Sequence, residues 1–136
     1  MRPGEWLIAS LDLAPHPEGG WYRRTWVAEA EDGHRPGGSA IYYLLLEGDI
    51  SAPHRIDATE LWHFYAGDPL ELTQEWPDGR LEVAILGPDV PEGHAPQVVV
   101  EPGVWQSARL LGRYSLVGAT VTPAFSFEGF KLREGS

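Results

Sequence analysis

The sequence predicts an all-β domain, a sandwich or barrel, preceded by one short helix. Three observations lead there. From Ala40 onward the chain is a series of short runs rich in Val, Ile, Leu, Tyr and Trp at fairly regular spacing. Gly, Pro and Asp punctuate those runs, as at Pro77-Asp78-Gly79, Gly87-Pro88-Asp89 and Pro102-Gly103. The runs never alternate with helical patterns, which argues against a parallel βαβ sheet.

Taken in order, residues 5–13 mix Trp6, Leu7, Ala9, Leu11 and Leu13 with Ser10 and Asp12, which reads as a helix closed by Pro15. Pro15, Pro17, Gly19 and Gly20 then force an irregular path into a strand at Trp21–Val27. Residues 32–39 are a loop by composition. Strands are expected at 40–47, 71–76, 81–86, 98–100, 104–108 and 114–121, with Pro77-Asp78-Gly79 as a hairpin turn. Near the end, Phe125, Phe127 and Phe130 read as a hydrophobic lid on the core.

The stretch 51–70, SAPHRIDATELWHFYAGDPL, organises the chain. His54 lies in an extended run, Asp57-Ala58-Thr59 turns, and a second strand carries Glu60, Trp62 and Phe64 before stopping at Gly67-Asp68-Pro69. Side chains alternate faces along a strand. If the two strands pair across the turn, His54 and Glu60 point into one space walled by Trp62 and Phe64. His63 and Tyr65 face the other way and read as packing or subunit-interface residues.

Bulk properties bound the function. At 136 residues the chain reads as one domain, residues 1–136, able to bury about two-thirds of its unfolded surface. It has no cysteine, which excludes disulfides and thiolate metal sites. No apolar run is long enough to span a bilayer, and the N-terminal segment lacks a signal-cleavage pattern, so a soluble cytoplasmic protein is expected. A net charge of −10 with scattered arginines argues against a nucleic-acid partner. A small-molecule ligand is expected instead, including a phosphorylated one held by one or two arginines.

His54 and Glu60 are the first candidates, as acid–base catalysts, as metal ligands, or as a purely structural hydrogen-bonded pair. The segment Glu18-Gly19-Gly20-Trp21-Tyr22-Arg23-Arg24 is the second. Its glycines permit close backbone approach to a ligand, and Arg24 or Arg23 could clamp a carboxylate or phosphate. The alternative is a tight turn with solvated arginines. His16, between two prolines, reads as structural, and His34 and His94 need no function.

Further residues carry a resemblance. His54, Ile56, Glu60 and Gly67 stand at the spacing of the first cupin motif, with Ile56 in place of its second histidine. Residues 101–106, EPGVWQ, resemble the second motif, with Gln106 in place of its histidine. Together with PHPEGGWYRRTW, SAIYYLL, HRIDATELWHFYAGDPL, PGVWQSA and YSLVGATVTPAFSFEGF, the set resembles the fifth cupin family over most of the chain.

The resemblance implies a double-stranded β-helix, the jelly-roll barrel similar to that of the dTDP-sugar epimerases, with a short N-terminal helix and a homodimeric assembly. It also implies that Trp105 and Gln106 line the cup. Cupin metal sites use three histidines and a glutamate, of which only His54 and Glu60 remain. No metal cofactor is therefore expected; His54, Glu60 and Gln106 form at most a weak set for a low-occupancy divalent ion. A metal-free role is preferred, with His54 as base, Glu60 as its orienting partner, and Arg55, Gln106 or Tyr22 as donor or acid. The expected activity is that of an isomerase or epimerase acting on a carbohydrate-like or carboxylated metabolite. A non-catalytic ligand-binding or sensing cupin is the rival, and a metal-dependent cupin enzyme a lesser one.

Overall fold

The computed structural model describes residues 1–134. Eleven strands form two antiparallel sheets. In chain order they are β1 (Ala14–Pro15), β2 (Trp21–Val27), β3 (Ser39–Leu46), β4 (Ile50–Arg55), β5 (Thr59–Gly67), β6 (Leu70–Glu75), β7 (Leu81–Leu86), β8 (Gln97–Val100), β9 (Trp105–Leu110), β10 (Tyr114–Thr122) and β11 (Lys131–Leu132). One sheet has the order β1-β2-β3-β10-β5-β8, the other β11-β4-β9-β6-β7. Neighbours in space are mostly distant in sequence, as in a jelly roll.

Each predicted strand is present, with its ends shifted by no more than two residues. The hairpin at Pro77-Asp78-Gly79 joins β6 to β7, and Gly79 supplies the positive φ (90°) it needs. The helix, α1 (Trp6–Ser10), is shorter than predicted. Asp12 adopts a left-handed φ of 54° and turns the chain toward β1 before Pro15 is reached.

Between the sheets, Tyr43, Leu45, Trp62, Leu72 and Val117 form the main core. The opposite face of β3 is covered by α1 and the turn after it, through Leu7 and Leu13 on Leu44 and Leu46. That cover explains the unbroken apolar run of β3, which is buried on both sides. A third cluster, Ile56, Ala58 and Val121 with Phe125 and Phe130, closes one end of the barrel beside the cavity described below.

One expectation is corrected. Strands β4 and β5 do not pair across the Asp57-Ala58-Thr59 turn. Strand β4 bonds to β9 and β11, and β5 bonds to β10 and β8. The turn is a corner at which the chain leaves one sheet for the other. His54 and Glu60 therefore approach from opposite walls.

Candidate active site

The corner geometry creates the site. His54 projects inward from β4, Glu60 inward from β5, and the 16–20 segment crosses the end of the barrel between them. Ala52 N–H donates to Glu18 O at 2.8 Å, which fastens that segment to β4. Gly19 (φ 108°) and Gly20 (φ 75°) allow the crossing, because a Cβ at Gly19 would run into the Ile50 carbonyl. Tyr43 Oη donates to the Gly19 carbonyl at 2.5 Å from below.

His16, Glu18, His54 and Glu60 thus face one enclosed cavity of about 30 Å³, room for one or two waters. All four are buried, Glu60 at 8% exposure and His54 at 2%. The protons can be assigned from partners. His54 Nδ1 lies 2.7 Å from the Ala52 carbonyl and so carries the hydrogen, leaving Nε2 bare. His16 Nδ1 accepts the Glu18 backbone N–H at 3.1 Å and is bare as well. Both bare nitrogens face Glu18 Oε1, each at 3.4 Å. An ionised Glu18 would present a third lone pair to two others, whereas a protonated Glu18 can donate to either. The Ser51 hydroxyl donates to the other oxygen, Oε2.

Burial dominates the titration of this cluster. It raises Glu18 to about 7, against a hydrogen bond from Ser51 that lowers it. Burial also raises Glu60 to about 7; the nearby His54 and the Gln106 hydrogen bond pull down, and Glu18 pushes up. His16 falls to about 4 through burial and the proximity of His54. Burial lowers His54, partly offset by Glu60 and by the Ala52 carbonyl. The result at neutral pH is two neutral imidazoles beside two carboxyls that both exchange protons near pH 7.

Glu60 is held in place from behind. Trp62 Nε1–H donates to Gln106 Oε1 at 2.7 Å, and Gln106 Nε2–H donates to Glu60 Oε1 at 2.9 Å. The expected orientation of His54 by Glu60 is replaced by this division of labour: a backbone carbonyl orients His54, and Gln106 orients Glu60. Trp62 and Phe64 share the inward face of β5 with Glu60, but they pack into the main core below it. Tyr22 lines the cavity mouth, and Arg24, two residues on, lines the space outside it.

Two expectations of position fail. Trp105 and Arg55 lie on the outer face of the five-stranded sheet, where Trp105 is sandwiched between Arg55 and Arg133 at 4.7 and 4.6 Å. Alternation decides this: Gln106 points inward on β9, so its neighbour points out. His63 also faces outward, as predicted, within hydrogen-bond distance of Thr120 Oγ1 and Gln97 Nε2. Sequence reasoning undervalued His16 and overlooked Ser51. The available signal was two titratable side chains flanking Pro17 immediately before paired glycines. Of the three phenylalanines, Phe125 and Phe130 pack on the third core cluster while Phe127 is half exposed, and all three ring His16 with centroids 5.9 to 6.4 Å from it.

The residues do not fit a cupin metal. Ile56 has no donor, and the Gln106 amide is engaged at both ends by Trp62 and Glu60. Among the described residues, no three His, Asp or Glu side chains converge in a way that could hold an ion.

Comparison with known proteins agrees with this architecture. A search of the curated proteins found no match. A crystal structure of a Shewanella oneidensis protein is 38% identical and superposes with a TM-score of 0.92, covering 98% of this chain and 85% of that one. A hypothetical protein from Leishmania major is 28% identical, with a TM-score of 0.86 over 96% of this chain and 86% of its own. A Bacillus subtilis oxalate decarboxylase is 14% identical, with a TM-score of 0.68 over 90% of this chain and 30% of that chain, a likeness of fold alone. Residues 5–133 match the family described as Cupin superfamily (DUF985), and the chain belongs to that family.

Proposed function

We propose that the protein is a metal-independent isomerase or epimerase that moves a proton next to a carbonyl in a carbohydrate-like or carboxylated metabolite. The observation that supports this reading is the buried cluster itself, in which burial raises Glu18 and Glu60 to about 7 beside the bare Nε2 of His54. Proton transfer at carbon works best with groups whose pKa lies near the working pH. His54 or an ionised glutamate takes the proton from carbon, and a protonated glutamate gives one to the carbonyl oxygen, forming an enediol. Reversal at the neighbouring carbon isomerises; reversal on the opposite face epimerises. Burial shields the intermediate from bulk solvent and strengthens each hydrogen bond.

The test is deuterium incorporation from D2O into aldoses, ketoses and sugar acids, followed by proton NMR. Exchange at the carbon beside the carbonyl, lost in His54→Ala and Glu60→Gln, is expected. A ligand that binds tightly without exchange would establish the rival, a ligand-binding or sensing cupin. We propose a homodimer as the working form, each subunit with its own cavity. The outer face of the six-stranded sheet supports this, since it leaves Tyr65 at 52% and Val99 at 47% exposure.

A further inference from the structure

The small cavity borders a second, larger space. An outer vestibule of about 470 Å³ is bounded by Asp12, Arg24 and Phe127, and it shares Tyr22, Ile41 and Phe125 with the cavity. Those three side chains form the boundary that the two compartments share. One is sized for a water-like group, the other for a small metabolite.

The vestibule's chemistry is set by Arg24. Acidic residues outnumber Lys and Arg by 20 to 10 in this chain, and most other arginines are committed. Arg2, Arg35, Arg109 and Arg133 pair with carboxylates. Arg55 and Arg80 lie over tryptophans. Arg23 donates to the Leu11 carbonyl at 2.7 Å and lies over Tyr42. Arg24 is exposed, and among the described residues no carboxylate lies within ion-pair distance of it. It stands on the same face of β2 as Tyr22, one step farther out. Asp12, across the vestibule, supplies acceptor oxygens, and Phe127, half exposed, supplies an apolar surface.

We propose that this vestibule is the specificity subsite for an anionic, polyhydroxylated metabolite, a sugar phosphate or a sugar acid. The Arg24 guanidinium clamps the terminal phosphate or carboxylate in a bidentate contact. Asp12 accepts a hydroxyl, the carbon chain lies along Phe127 and Tyr22, and the carbonyl end passes Tyr22 and Phe125 to reach Glu18, His54 and Glu60. This rests on the isomerase reading for what happens inside, but binding in the vestibule does not depend on turnover.

The experiment is calorimetric titration of the intact protein with D-glucose 6-phosphate, D-glucuronate and D-glucose at low salt, repeated for Arg24→Ala and Arg24→Lys. Both anionic probes, or one of them, are expected to bind more tightly than glucose. Arg24→Ala should weaken that binding about 10- to 100-fold, the range for a lost charged hydrogen-bond pair, and leave glucose unaffected. Arg24→Lys should recover part of it. Preference for phosphate over carboxylate separates the two sources of charge. Anionic probes binding no better than glucose, or equally well to Arg24→Ala, would overturn the subsite. Arg24-dependent binding without deuterium exchange would uphold the subsite and sink only the isomerase reading. Arg24 lies on an exposed strand, and an unchanged thermal midpoint confirms that the variants fold.

Discussion

Glu60→Gln tests the electrostatics of the cavity directly. Glu60 is shifted from 4.5 to about 7 in the folded protein by burial. At about 1.36 kcal/mol for each pKa unit, that is about 3 kcal/mol of folding free energy opposed by ionisation. The sign follows from linkage. Between pH 4.5 and about 7 the folded state binds a proton that the unfolded state has released, so stability falls as pH rises through that window. Below 4.5 the carboxyl is neutral in both states and the penalty is absent. Glutamine has the same shape, keeps an oxygen to accept from Gln106 Nε2, and never ionises. The variant should therefore match the parent at pH 4 and exceed it at pH 8 by about 1–3 kcal/mol, the lower end allowing for coupling to Glu18. Urea unfolding at the two pH values, with unchanged m, measures the difference. The titration of His16 is common to both proteins and cancels. A variant destabilised equally at both pH values would refute the reasoning and make Glu60 a structural hydrogen-bond acceptor.

Other expectations follow from the same geometry. Gln106→Leu strands the Trp62 N–H and removes a donor that lowers Glu60, so it should cost about 2–4 kcal/mol in urea unfolding and move the acidic limb of any exchange-rate profile to higher pH. Gly19→Ala forces a Cβ into the Ile50 carbonyl at φ 108°; a loss of roughly 3 kcal/mol or insoluble expression is expected, whereas Gly33→Ala, which meets nothing within 4 Å, should cost far less. Because Gln106 is engaged and Ile56 inert, untagged protein should carry well under one transition metal per subunit by mass spectrometry, and EDTA should leave exchange unchanged. Light scattering should report twice the 15.0 kDa chain mass, falling to one chain mass in a Tyr65→Asp/Val99→Asp double variant.

The sequence by itself determined the strands, because alternation and turn chemistry are local. Pro77-Asp78-Gly79 could only be a tight turn, and the inward side chains of β5 follow from a period of two. The resemblance to the cupin motifs also showed which donors are missing from the family's metal set, with Ile56 and Gln106 standing where those motifs have histidines. Tertiary structure decided who meets whom. The corner at Asp57-Ala58-Thr59 looks like a hairpin locally, but its strands join different sheets, and that choice depends on pairing with β9 and β10, 48 to 63 residues away. His16 enters the cavity, and Ser51 meets Glu18, only because the glycine pair lets residues 16–20 cross above β4, a contact no periodicity encodes. The outward placement of Trp105 and Arg55 was legible from alternation once Gln106 on β9 and His54 on β4 were placed inside. The raised titration of Glu18 and Glu60 was not, because desolvation is a property of the closed barrel and not of any residue in it.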